Sequence, residues 1–129
     1  AVGNDGNLYL NLTSAKVTQA VWQNTTPTSS VFSIGTTDGV NKASAVHVAY
    51  CFAEVEGYSS FGGYTGNGST DGAFVYTGFS PSFIMYKVTS TTDSWEMYDT
   101  QRRTINPYGT QLKANLSNAE TDDTRRHFV

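Results

Sequence analysis

Residues 45–56, Ala-Val-His-Val-Ala-Tyr-Cys-Phe-Ala-Glu-Val-Glu, are the stretch that decides the predicted fold. The run is rich in β-branched and aromatic residues that alternate with small ones at a period of two, which is typical of a β-strand. Because both of its faces are apolar, we expect a central strand that is covered on both sides and contains a buried, unpaired Cys51. One face carries Val46, Val48, Tyr50 and Phe52, and the other carries Ala45, Ala49, Cys51 and Ala53.

Shorter strands are predicted on either side of this run, at residues 7–12, 30–34, 73–79, 82–89 and 94–98. Turns rich in Gly, Asn and Asp separate them, and no stretch has a convincing helical period. Thr and Ser together make up about a quarter of the chain, which also contains 12 Gly, 8 Tyr and 7 Phe. The pattern predicts an all-β fold, specifically an antiparallel β-sandwich of jelly-roll or concanavalin A-like type.

Length and charge exclude several classes of function. A chain of 129 residues is enough for one domain, and a net charge of −3 leaves no basic surface for nucleic acid. No apolar run approaches the roughly 18 residues that span a bilayer, and the first residues lack the features of a signal peptide. We therefore expect a soluble chain that binds no nucleic acid and does not insert into a membrane, and its single cysteine excludes an internal disulfide.

An eight-residue pattern, L-x-x-N-L-[TS]-x-A, occurs twice, at residues 8–15 and 112–119. The offset of 104 residues predicts that the single domain, residues 1–129, holds one repeat period and the start of the next from about residue 108. Only one copy can fill a given strand position, and the more apolar residues 8–12 are expected to take it. Residues 112–116 are then expected at a sheet edge or subunit contact, which predicts self-association through that edge.

The segment VAYCFAEVEGYSSFGGYTGNG, residues 48–68, closely resembles a repeated domain of large virion and tail proteins of marine tailed phages. The likeness continues through GAFVYTGF (72–79) and WEMYDT (95–100) and covers about residues 8–120; the tail from Thr121 departs from it. The resemblance implies a location on a virion or other extracellular surface, near concanavalin A-like, laminin-G-like modules. It implies little about activity, because that family is largely uncharacterised.

Aromatic residues at strand ends and beside glycine loops suggest a carbohydrate ligand. Rings of this kind stack on the apolar face of a sugar while short polar groups bind its hydroxyls. We therefore predict a non-enzymatic structural or adhesive module that binds carbohydrate. The alternative is a ligand-free spacer, in which the aromatics cover the ends of a repeat and dock on the next one. The candidate ligand-binding residues are Tyr58, Tyr64, Asn67, Asp71 and Trp95.

Glu54 and Glu56 keep an enzymatic alternative open. Two residues apart on a strand, their carboxylates would point to the same face, as in jelly-roll enzymes that cleave glycans. The structural interpretation is that the strand becomes polar at Glu54 and Glu56 because it leaves the core there. Because a third carboxylate in alternation is missing, we predict no enzymatic activity.

No metal site or cofactor is predicted. The loop at residues 67–72 offers several oxygens, but an Asx turn explains them better than calcium because the acidic spacing of a calcium loop is missing. His47 and His127 are far apart in sequence and have no neighbouring ligand cluster, which argues against zinc.

Overall fold

The computed structural model describes residues 2–102 and 109–122, so His127 and the end of the chain lie outside the described residues. The chain divides into two compact units. The aromatic unit comprises residues 44–81, and the sheet unit comprises Val2–Ala43 with the chain from Ser82 onward. All the strands of the described residues belong to the sheet unit, together with one short helix and one 3₁₀ turn. The fold is therefore all-β, as predicted.

The first part of the sheet unit is a small ribbon followed by a turn. Strand β1 (Gly6–Asn7) pairs antiparallel with β2 (Val17–Thr18), and a salt bridge of 2.7 Å from Lys16 Nζ to Asp5 Oδ1 supports the pair. The 3₁₀ turn Ala20–Trp22 follows directly and buries Val21. The helix α1 (Asp38–Asn41) is a single turn.

The second part is a four-stranded antiparallel sheet in the order β3-β4-β5-β6. Its two longest strands confirm the strands predicted at residues 82–89 and 94–98, and they pair over five residues each, with Met85 opposite Met97. Tyr98, only 2% exposed, is the most deeply buried side chain of the described residues. The strands are β3 (Phe83–Lys87), β4 (Trp95–Asp99), β5 (Thr110–Lys113) and β6 (Thr121–Asp122).

The prediction of a central strand at residues 45–56 is wrong. These residues form no strand apart from a single bridge between Val55 and Ser59, and Val46 is 100% exposed. Cys51, predicted to be buried, is an exposed free thiol. The alternating pattern reports strand propensity, but a strand also needs a neighbour to accept its backbone hydrogen bonds. The strands predicted at residues 30–34 and 73–79 are likewise not formed, and only the first residue of the strand predicted at 7–12 belongs to one.

The prediction that residues 8–12 would take the shared strand position is also wrong. The second copy of the repeated pattern contributes Leu112 and Lys113 to β5, where they pair with Met97 and Glu96 of β4, while β6 pairs with Thr110 and Gln111. Asn115, also from the pattern, fixes the second copy to β4, because its Oδ1 accepts a hydrogen bond of 2.8 Å from the backbone N–H of Trp95. Residues 8–12 form a turn instead, closed by a bond from Leu12 N to Tyr9 O. The larger apolar area of the first copy did not decide the outcome.

Gly35 provides a test of the packing around the 3₁₀ turn. Its backbone N–H donates to Val21 O, and a β-carbon at this position would overlap the carbonyl oxygen of Ala20. We expect Gly35→Ala to lower the free energy of unfolding by about 1–3 kcal/mol, because the backbone must shift to admit the methyl group. Gly39→Ala is the control, since nothing lies within 4 Å of a β-carbon there, and it should change stability by less than about 0.5 kcal/mol. Urea unfolding measures both; equal stability of the two variants would contradict the described packing.

Candidate functional site

A cleft of about 360 Å³ lies within the aromatic unit. Two stretches of chain form its walls, residues 54–60 and residues 76–78. It therefore combines carboxylates, hydroxyls and one aromatic ring within a small volume. The side chains that give it this character are Glu54, Glu56, Ser59, Ser60 and Tyr76.

A tight turn shapes the first wall of the cleft. Val55 and Ser59 form an antiparallel bridge, and Tyr58 N donates to Val55 O at 2.9 Å. Gly57 sits in this turn with a φ of 72°, a conformation that strains residues with a side chain. The Ser59 hydroxyl donates to Ala53 O at 2.8 Å and fastens the turn to the chain before it. Glu54 and Glu56 therefore lie at the N-terminal end of this turn.

The two carboxylates do not lie on a regular strand, so the prediction that strand geometry would pair them is wrong. Glu54 Oε1 accepts a hydrogen bond of 3.1 Å from the backbone N–H of Phe61. Glu56 makes no hydrogen bond to any residue that the structure describes. Both side chains are exposed, which leaves carboxylate oxygens available to accept bonds from a ligand's hydroxyl groups.

The predicted ligand-binding tyrosines are exposed, as a stacking role requires. Tyr58 belongs to the turn of the first wall, and Tyr64 lies further along the same unit; both side chains are mostly exposed. The ring that lines the cleft is Tyr76, which is 81% exposed. Sequence reasoning placed Tyr76 among the aromatics at strand ends and beside glycine loops, but not among the candidate ligand-binding residues. The Gly78 that follows it, with a φ of 79°, was the available signal that the chain turns there.

Asn67 and Asp71 are brought together, but by their own loop. Asn67 Oδ1 accepts from Ser69 N at 3.1 Å, and Asn67 Nδ2 donates to Asp71 O at 2.9 Å. The first of these bonds is the predicted Asx turn. Because both polar atoms of the Asn67 side chain are engaged within the loop, their contribution is to hold its conformation.

Trp95, the fifth predicted residue, belongs to the sheet unit rather than to the aromatic unit. It opens β4, and its Nε1 donates a hydrogen bond of 2.8 Å to Tyr9 O. Its backbone N–H is held by Asn115. The indole therefore has a structural role, tying the turn at residues 8–12 to the four-stranded sheet.

A buried polar network lies on one face of that sheet, and sequence reasoning missed it. Glu96 is only 3% exposed, and its Oε2 accepts hydrogen bonds from the hydroxyls of Tyr86 and Tyr98. The two tyrosine rings are stacked with their centroids 5.9 Å apart. Tyr98 also contacts Gln111 Oε1 at 3.1 Å, so the network extends across β3, β4 and β5. A buried carboxylate held in this way specifies the strand register, because a slip would leave it unpaired.

The pKa values of Tyr86, Asp99 and Asp5 depart from their ordinary values. Burial, followed by the hydrogen bond to Glu96, raises the pKa of Tyr86 above its ordinary value. Hydrogen bonds from Arg102, first from its backbone N–H, lower the pKa of Asp99 and close the turn after β4. The hydrogen bond from Lys16 lowers the pKa of Asp5. None of these groups lines the cleft, so they stabilise the sheet unit.

Residues 2–102 and 109–122 contain neither a cluster of metal ligands nor a helix that could span a membrane. No group of three or more His, Cys, Asp or Glu side chains in these ranges could hold a metal ion. In the same ranges no helix is long and apolar enough to cross a bilayer.

Comparison with known proteins places the chain in one family. Its whole length, residues 1–129, matches the family model described as Domain of unknown function (DUF7483), and the chain belongs to that family. No curated protein and no solved structure matches the chain.

The Tyr86–Glu96 bond predicts a loss of stability at alkaline pH. In the unfolded chain Tyr86 loses its proton near pH 10, whereas in the folded chain it keeps the proton to higher pH. Its contribution to stability is therefore fully present below about pH 10 and is lost as the pH rises further. Urea unfolding between about pH 9 and about pH 11 should show a shallower decline for Tyr86→Phe than for the wild type. The exposed Tyr64→Phe serves as control and should follow the wild type; identical declines in all three proteins would contradict the assignment.

Proposed function

We propose that this chain is a non-enzymatic adhesive module that binds a neutral carbohydrate in the cleft of the aromatic unit. One observation carries the proposal: Tyr76, whose side chain is exposed, lines the same cleft as Glu54 and Glu56. An aromatic face and convergent hydrogen-bond acceptors are the two components of a sugar site. Ser60 adds a hydroxyl group to the same cleft.

The two carboxylates also define the kind of sugar. They accept hydrogen bonds from hydroxyl groups, but they repel the carboxylates and sulfates of acidic glycans. The net charge of −3 also repels acidic glycans. The proposed ligand is therefore a neutral glycan.

A binding role is favoured over the alternative of glycan cleavage. A glycosidase needs one carboxyl group held in apolar surroundings, where it stays protonated as the general acid. Glu54 and Glu56 are both exposed, and Glu54 is engaged by a backbone N–H of the turn. This arrangement suits hydrogen bonding to a ligand better than proton transfer.

The setting of the module is part of the proposal. The resemblance of residues 48–68 to repeated domains of phage virion and tail proteins supports a place on a virion or other extracellular surface. The antiparallel strands of the sheet unit are compatible with a jelly-roll or concanavalin A-like sandwich as the complete fold. An adhesive domain repeated along a surface protein would gain avidity from its copies.

A glycan array tests the proposal. We expect the wild type to bind neutral glycans, and Tyr76→Ala to weaken the binding about tenfold, which corresponds to about 1.4 kcal/mol. Tyr9→Ala, which removes a tyrosine of the sheet unit, should leave the affinity unchanged. Melting curves of both variants separate loss of a contact from loss of folding.

The double variant Glu54→Gln, Glu56→Gln separates the remaining functions. Amide oxygens still accept hydrogen bonds, so we expect binding of neutral glycans to be largely kept. Turnover of a labelled glycan by the wild type that disappears in the double variant would establish an enzyme instead. No retention of any glycan would leave the ligand-free spacer as the function.

A further inference from the structure

Residues 45–53 combine an apolar strand sequence with an unpaired backbone. Every residue in this range is exposed, with Val46, Val48, Tyr50 and Phe52 among the most exposed large side chains. In the part of the chain that the structure describes, residues 45–52 make no backbone hydrogen bond. An uncovered segment of this kind is a template for pairing with another chain.

We propose that residues 45–53 pair antiparallel with the same residues of a second copy of this chain. The proposal is independent of the carbohydrate site. It places self-association at a segment other than residues 112–116. Self-complementarity, area and charge favour a second copy as the occupant.

The segment is self-complementary about Ala49. If Ala49 lies on a two-fold axis, Val48 faces Tyr50 of the second copy and Val46 faces its Phe52. Pairs of a β-branched and an aromatic residue are favourable across strands. The small residues match as well, with Ala45 opposite Ala53. Moving the axis by one residue in either direction sets Phe52 against Ser44 or Val46 against Glu54, so the Ala49 register is preferred.

The exposed apolar area is large enough for a stable interface. Four exposed aromatic side chains of the aromatic unit lie outside the cleft and outside the candidate ligand-binding residues: Tyr50, Phe52, Phe61 and Phe74. At about 150–250 Å² for each fully buried aromatic, they offer on the order of 800 Å² of surface. Each partner in a standard protein interface contributes about 800 Å². A two-stranded ribbon alone is marginal in water, and these rings supply the additional surface that it needs.

The charges that flank the segment favour the antiparallel direction. Lys42 precedes it, and Glu54 and Glu56 follow it, while residues 44–53 carry no Lys, Arg, Asp or Glu. In an antiparallel pair, Lys42 of each copy therefore lies near Glu54 and Glu56 of the other copy, so unlike charges meet at both ends. A parallel copy would bring the acidic ends together, which is unfavourable.

Sedimentation equilibrium tests the association. We expect the mass of the wild type to double as its concentration rises, and Val48→Asp to remain a monomer, because a carboxylate would be buried against Tyr50. Val31→Asp is the matched control, since Val31 is an exposed valine of the sheet unit, and it should still dimerise. A wild type that stays monomeric, or dimerisation that survives Val48→Asp, would overturn the proposal.

Cysteine cross-linking tests the register. Two copies of a residue on the axis lie about 4.5–5.5 Å apart, within reach of a disulfide. We expect Ala49→Cys in a Cys51→Ser background to form disulfide dimers with oxidised glutathione. Ala45→Cys in the same background should not, because its two copies lie eight residues apart along the strands, about 27 Å. Equal cross-linking of both variants, or cross-linking of the second alone, would overturn the Ala49 axis.

Discussion

The constraint on which this structure depends is that an apolar strand needs a neighbour, and residues 45–53 have none within the described chain. Hydrogen bonding between strands and burial of side chains must come together, because either alone leaves polar or apolar groups unsatisfied. The sheet unit meets both needs with the pairing of β3, β4 and β5. Residues 45–53 of the aromatic unit meet neither need, and their large apolar side chains are exposed.

Pairing within the sheet unit is specified by polar contacts more than by apolar area. Glu96 receives hydroxyl hydrogen bonds from a neighbouring strand and from its own, and Asn115 holds the start of β4. Each bond is satisfied in one register only. The second copy of the repeated pattern is held in the sheet in this way: Asn115 accepts a hydrogen bond from the backbone N–H of Trp95, and Leu112 lies opposite Met97.

Part of this structure could be predicted from the sequence and part could not, and the difference has physical reasons. The hairpin of β3 and β4 was predictable because both strands are local and a segment rich in Ser and Thr, with Asp93, separates them. The Asx turn at Asn67 was predictable for the same reason, since its bonds span a few residues. Residues 45–56 were misassigned because alternation reports the propensity of a segment and not whether a partner exists. The cleft combines Glu54 with Tyr76, which sequence reasoning considered only separately, because turn geometry and not strand spacing brings them together.

Hydrogen–deuterium exchange of the backbone amides of residues 45–53 tests the central claim most directly. The claim is that these residues lack a partner within the chain and gain one from a second copy. The account predicts rapid exchange in dilute solution and slow exchange at high concentration, while the amides of β4 stay protected at both. Protection of residues 45–53 that is the same at both concentrations would show a partner within the chain, and rapid exchange at both would show that none is gained; either result would contradict the account.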